Sequence, residues 1–166
     1  MVVDSVHWLE PDELKAWRTF VRFDSILMAK LDSDLVAKFG LSIAEYEVLV
    51  HLSEAENHEL RMSLLADLCL VSRSGLTRRL ERLVDQGLVE KNICPSDRRG
   101  MNAKLTDIGL ARIIEAAPTH VAGVRNYFIS KFSKEDLHTF TRFLAGPLAD
   151  LQHKTDCGAP CDQPDD

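Results

Sequence analysis

Apolar residues return along the first forty positions at helical spacing. Leu14, Trp17, Val21, Met28, Leu31 and Leu35 lie three, four, seven, three and four residues apart, interrupted at Asp24, and so share one stripe. Pro11 suits a first helical position, and Asp12 and Glu13 complement the positive end of the dipole. A first helix is predicted over 11–39, ending at Gly40. Ser42 and Glu45 carry a capping-box signature for a second helix through Ile43, Tyr46, Leu49, Val50 and Leu52. The polar run 53–59 reads as a loop. A third helix is predicted at about 63–70 with Leu64, Leu65 and Leu68 inward. Ser72 suits the N-cap of a fourth, and Gly87 stands where a left-handed residue would close it.

Beyond Gly87 the period changes from helix to strand. Residues 88–93 and 101–105 alternate, and the sequence from Pro95 to Gly100 makes the turn between them. Thr106 can cap a fifth helix with the stripe Leu110, Ile113, Ala117, Val121, Val124 and Phe128, in which Pro118 should produce a kink. Ser133 opens a sixth, with Leu137, Phe140, Leu144, Leu148 and Leu151, disturbed at Gly146 and Pro147. Residues 154–166 are polar, with Pro and Gly, and are expected to form a disordered tail. The fold class that follows is mainly α with a small β-wing: six helices and a two-stranded antiparallel wing. Its organisation is a helical dimerisation region at 11–39 and 107–151 around a winged helix-turn-helix at 42–106.

The fourth helix carries the chemistry. On a helical wheel Leu76, Leu80 and Leu83 fall on one side with Val84 at the margin, while Ser74, Arg78 and Arg82 form a row on the other, flanked by Arg73 and Thr77. The N-terminal half of a recognition helix meets base edges in the DNA major groove, which places readout at Ser72, Arg73, Ser74, Thr77, Arg78 and Arg79. A guanidinium suits guanine and phosphate equally, so the partner of Arg78 or Arg79 stays open. The competing reading is a solvated face with intrahelical pairs, Glu81 with Arg78 or Asp85 with Arg82. Arg98 and Arg99 at the tip of the wing argue against it, because a cation there can enter the narrow minor groove, with Asp97 orienting its neighbour.

Charge changes the picture only when it is divided. The chain of 166 residues carries a net −6, which alone argues against a polyanionic partner. Residues 60–106, however, hold nine Arg or Lys against five acids, a net +4, and the −10 lies elsewhere. A positive module in an acidic body is what a phosphate-binding face requires.

The wing follows the pattern Asp97-x-Arg99, five residues, then Leu105-Thr106. Leu65-Ala66, Ser72, Thr77, Leu83 and Gly87-Leu88-Val89 precede it in the order of a helix-turn-helix. Together these resemble the MarR family of transcription regulators, over about residues 11–151. The resemblance implies a homodimer with interlocked terminal helices, and two winged modules reaching adjacent major grooves of a roughly palindromic double-stranded DNA site. It also implies Arg99 in the minor groove supported by Asp97, with Arg98 near the backbone, and Ser72, Arg73, Ser74, Thr77, Arg78 and Arg79 facing the major groove. The bottom-up argument for pairing is separate: the terminal stripes are too long for one small module to cover.

Family members respond to small aromatic acids or to cysteine oxidation, and the residues offer material for both. Trp17, Phe20, Arg22, Tyr46 and His51 lie near where an effector pocket would form. Cys69 and Cys94 are the redox candidates, in the third helix and at the base of the wing. Four cysteines, unevenly placed, make no disulfide framework, and Cys157 and Cys161 with His153 fall short of a structural zinc set. Nucleotide-binding, metalloprotease and hydrolase motifs are missing from the sequence, so neither an enzyme nor a bound cofactor is expected. No run of eighteen apolar residues and no basic-then-apolar leader occurs, which gives the expectation of a cytoplasmic protein without membrane contact.

Overall fold

The computed structural model describes the backbone of residues 6–93 and 100–156, with side chains to 151. Two compact units divide the chain, residues 1–124 and 125–166. The first contains α1 (Pro11–Phe39), α2 (Ile43–Glu54), β1 (Glu59–Arg61), α3 (Met62–Leu68), α4 (Arg73–Asp85), β2 (Val89–Ile93), β3 (Met101–Leu105) and most of α5 (Asp107–Tyr127). The second contains α6 (Lys134–Asp156).

Helix boundaries fall where the capping chemistry places them. Gly40 takes a left-handed φ of 67° and its N–H closes on the Val36 carbonyl. Ser42 and Glu45 exchange side-chain-to-backbone bonds at the start of α2, where Asp32 of α1 also accepts from the Ile43 N–H at 2.8 Å. Ser72 Oγ accepts from the Gly75 N–H at the start of α4. Thr106 Oγ1 accepts from Gly109 N–H while donating to the Gly87 carbonyl, tying the start of α5 to the end of α4.

The two-stranded antiparallel wing forms as expected from β2 and β3, and among the described residues a third strand, β1, extends it on the other edge of β3. The sheet order is β1-β3-β2, antiparallel throughout, with Val89 opposite Leu105 and Ile93 opposite Met101. The third strand comes from the stretch beyond α2. That helix continues to Glu54, a 3₁₀ turn covers Glu56–His58, and Glu59, Leu60 and Arg61 pair with Lys104, Ala103 and Asn102. Left-handed φ values at Asn57 and His58 (54° and 56°) turn the chain into that pairing. Three residues are too few to display alternation, which is why a polar loop was expected at 53–59.

A second correction concerns α3. It runs Met62–Leu68, and the residues it seals are Leu65, Ala66 and, just beyond it, Cys69. Leu64 and Leu68, expected inward, are exposed. They share their own i, i+4 row beside the packed one, and a helix of seven residues has too few turns for sequence to choose between the two.

The core of the first unit gathers Leu35, Leu41, Leu49, Leu52, Leu65, Leu76, Leu80, Leu83, Leu88 and Ile113. Helix α5 presents Gly109, Ile113 and Ala116 to it and continues through Pro118. Arg112 of α5 donates to the Phe39 carbonyl at 3.0 Å. In the second unit Phe128, Phe132 and Phe140 form an aromatic cluster with centroids 5.1–6.5 Å apart. Ser133 and Asp136 cap α6 reciprocally. That helix passes Gly146 and Pro147 and reaches Asp156, so it takes in the first residues assigned to the tail. The remainder of the tail, Cys157 and Cys161 included, lies outside the described residues.

Candidate nucleic-acid interface

Helix α4 is split lengthwise by burial. Leu76, Leu80 and Leu83 are wholly buried, and Val84 lies at the edge of the packed face. Ser72, Arg73, Ser74 and Arg78 are exposed, and Thr77 is half-buried with its Oγ1 donating to the Arg73 carbonyl at 2.9 Å. Ser72 Oγ lies 3.1 Å from Ser74 Oγ. Three apolar anchors therefore fix the rotation of the helix and hold the polar set outward.

Two arginines expected to face outward turn back toward α2, Arg82 from the row and Arg79 from the set assigned to the major groove. Arg82 bends back so that its Nε lies 3.1 Å from Oε1 of Glu45, a buried carboxylate of α2 that also accepts from the Ser42 N–H and Oγ. Arg79 approaches Glu47 of α2, with Nη1 at 3.5 Å from Oε2. The pairs are thus between helices, neither the intrahelical pairs of the competing reading nor a row free along its whole length.

Beside α4 a groove of about 370 Å³ is lined by Arg61, Met62, Ser63, Arg73, Thr77, Gly100 and Met101. It brings the start of α3, the start of α4 and the base of the wing onto one surface. Arg61 and Ser63 were not singled out from sequence. The signal was present, a basic residue directly before α3, but its meaning depends on β1, which the pattern does not reveal. Cys94, Asp97, Arg98 and Arg99 lie outside the described residues.

A second cleft of about 670 Å³ opens among α1, α2 and α5. Leu27, Met28, Leu31, Ile43, Val50 and Val124 line it with Tyr46, His51, His120, Glu47 and Arg79. Of the five residues expected near a pocket, Tyr46 and His51 are in its wall, whereas Trp17, Phe20 and Arg22 are not. His120 packs on Tyr46 with ring centroids 4.7 Å apart, and its buried Nδ1 has no hydrogen-bond partner. Burial favours the neutral ring and lowers the His120 pKa. Burial, with a smaller effect of Glu54, raises that of Tyr46.

Cys69 sits in an environment opposed to redox chemistry. It is only 4% exposed, and burial, reinforced by Glu47 and opposed by Arg79, pushes its thiol up to about 11. A thiol so enclosed and held protonated is a weaker nucleophile toward oxidants than an exposed one. Among the described residues no helix is long and apolar enough to cross a membrane, and no group of three His, Cys, Asp or Glu is placed to hold a metal ion.

This arrangement has counterparts among known proteins. A family model described as MarR family matches residues 39–100. The HTH-type transcriptional regulator PecS of Dickeya dadantii is 31% identical over 123 residues, spanning 74% of this chain and 73% of PecS. The chain belongs to the MarR family. Its fold agrees with solved members of that family. AbsC, a MarR family transcriptional regulator from Streptomyces coelicolor, is 39% identical with a TM-score of 0.84, covering 89% of this chain and 99% of AbsC. Sco3205, a MarR family regulator from the same organism solved in complex with DNA, is 32% identical with a TM-score of 0.85, over 90% of this chain and 93% of Sco3205. The relatives so named are regulators of transcription, not enzymes.

Proposed function

We propose that this MarR family chain is a cytoplasmic, homodimeric repressor that binds a roughly palindromic double-stranded DNA operator through α4 and the wing. The observation that carries the reading is the split of α4. Leu76, Leu80 and Leu83 lock one face into the core, which leaves Ser72, Arg73, Ser74 and Arg78 exposed with Thr77 at their edge. Those residues are assigned to the major groove, where arginine and hydroxyl side chains can meet base edges and flanking phosphates. Arg61 and Ser63, lining the same groove as Arg73, are assigned to the backbone. Arg99, with Asp97 orienting it, is assigned to the minor groove and Arg98 to the adjoining phosphates, on the family pattern quoted above. That Sco3205 was solved in complex with DNA supports DNA binding by homology.

Release is assigned to a small aromatic ligand in the α1–α2–α5 cleft, whose walls combine apolar side chains with Tyr46, two histidines and one arginine. Oxidation is the alternative switch, and with Cys69 buried it falls to Cys94.

Selection of duplexes from a random pool with the full chain, followed by titration of the selected duplex at rising salt, tests the reading. Affinity should fall steeply, since several phosphates per dimer are neutralised. Failure to enrich any sequence, or a flat salt response, would overturn it.

A further inference from the structure

Arg79 follows Arg78 directly and lies in the half of α4 assigned to readout, yet it faces elsewhere. Its guanidinium points to Glu47 of α2 and its side chain is 28% exposed, whereas Arg73 and Arg78 stand open to solvent. The pair stands in the wall of the α1–α2–α5 cleft and next to Cys69, whose thiol Glu47 pushes up and Arg79 pushes down. Three surroundings therefore agree on where the Arg79 charge sits: on the α2 side of the helix, opposite a carboxylate.

We propose that Glu47 is a specificity-determining residue, which holds Arg79 against α2 and so keeps one cation of the recognition helix out of the DNA-facing set. The proposal rests on the DNA-binding reading above and goes beyond it. Sequence-independent affinity grows with the number of phosphates a protein neutralises, whereas discrimination depends on directed contacts. A cation parked on a carboxylate subtracts from the first and leaves the second to Arg73, Thr77 and Arg78. What is gained is the ratio between a cognate site and the excess of other sequences.

Glu47→Gln is the test, because it keeps the size and hydrogen-bonding capacity of a half-exposed side chain while removing its charge. The full chain, Glu47→Gln, Arg79→Gln and the double variant are titrated against the selected duplex and a random-sequence duplex across a salt series, with thermal melts to establish folding. Freeing Arg79 should raise affinity for the random duplex by about threefold to tenfold, with a salt slope steeper by about one per protomer. Affinity for the selected duplex should change less, so discrimination falls. Arg79→Gln in the Glu47→Gln background should abolish the gain, and Arg79→Gln alone should leave both affinities within about twofold. A residue serving only packing would lower the melting temperature without steepening the salt slope.

An unchanged random-duplex affinity in Glu47→Gln overturns the proposal. So does a tenfold loss at the selected duplex in Arg79→Gln alone, because Arg79 would then read DNA itself. Either result leaves the regulator reading standing. Should the unaltered chain enrich no duplex at all, both fall together.

Discussion

Between Leu41 and Leu105 the large apolar side chains of α2 and α4 are all buried or half-buried within the chain, and Leu49, Leu52, Leu76, Leu80, Leu83 and Leu88 have 1% exposure or less. Along α1 and α6 the same residue types stand open: Trp17, Phe20 and Ile26 on the first, Phe143, Leu148 and Leu151 on the second, the last at 66%. Both regions are helical, and both carry apolar stripes at helical spacing. The difference is where the stripe finds its partner. In the winged module the partner is the next element of the same chain, whereas each terminal helix leaves much of its own stripe exposed. A second copy is the partner proposed for it.

Placing charge on that exposed face gives the largest expected effect. Phe143→Asp with Leu148→Glu should convert a dimer to single chains in light scattering. Burial of a Phe or Leu side chain contributes about 1.5–3 kcal/mol, and symmetry repeats each loss, so the four losses come to about 6–12 kcal/mol and dimer affinity should fall by well over a thousandfold. An unaltered mass would show that these residues are ordinary surface, and the contrast between the two regions would lose its meaning.

The closed region is probed at Gly109, where α5 passes over the chain leaving α4. A Cβ at this position would collide with the Leu88 carbonyl oxygen and press on Leu105 Cδ1. Backbone cannot yield as a flexible side chain does, so Gly109→Ala should destabilise by about 3 kcal/mol. The melting temperature should fall at every protein concentration, unlike the concentration-dependent loss expected at α6. A neutral substitution would mean that α5 rides free of the module.

How much of this was legible follows the same division. The face of α4 was readable because thirteen residues span more than three turns, and leucines at 76, 80 and 83 leave one choice of inward side. The caps at Ser42, Ser72 and Thr106 were readable because a hydroxyl at the N-cap position satisfies amide donors whatever the tertiary context. β1 was not, since a three-residue strand is defined by its partner β3 and not by its own alternation. Nor was the fate of Arg79 and Arg82. A wheel places them on a face, but the carboxylates that turn them, Glu45 and Glu47, lie more than thirty residues earlier on another helix.

Histidine 120 tests the cleft wall. Burial lowers its pKa from 6.5, so below that pH the unfolded chain takes up a proton that the native ring resists. The unfolded state then binds more protons, and stability present above pH 6.5 is lost as pH falls through the lowered native value. His120→Phe keeps a ring against Tyr46 and removes the titration. Its melting temperature should therefore fall less between pH 7 and pH 5 than that of the unaltered chain. Parallel pH profiles would show that the ring charges as readily in the fold as outside it.

The smallest expected effect lies in the turn between α3 and α4, and its sign is opposite. The ends of α3 and α4 close in the same way. The Val71 N–H reaches the Ala66 carbonyl as the Leu88 N–H reaches that of Leu83, with Leu70 and Gly87 in the left-handed conformation at φ 52° and 69°. Glycine meets no Cβ penalty there, but leucine does, and Leu70 has no burial to set against it, being 89% exposed. Leu70→Gly should stabilise the chain by about 0.5–1 kcal/mol, the relief of strain exceeding the entropy glycine adds to the unfolded state. Denaturant midpoints with an unchanged slope would measure it. A loss of stability would mean that Leu70 is covered in the assembled protein, which would move the turn from the closed region of the molecule to the region that waits for a partner.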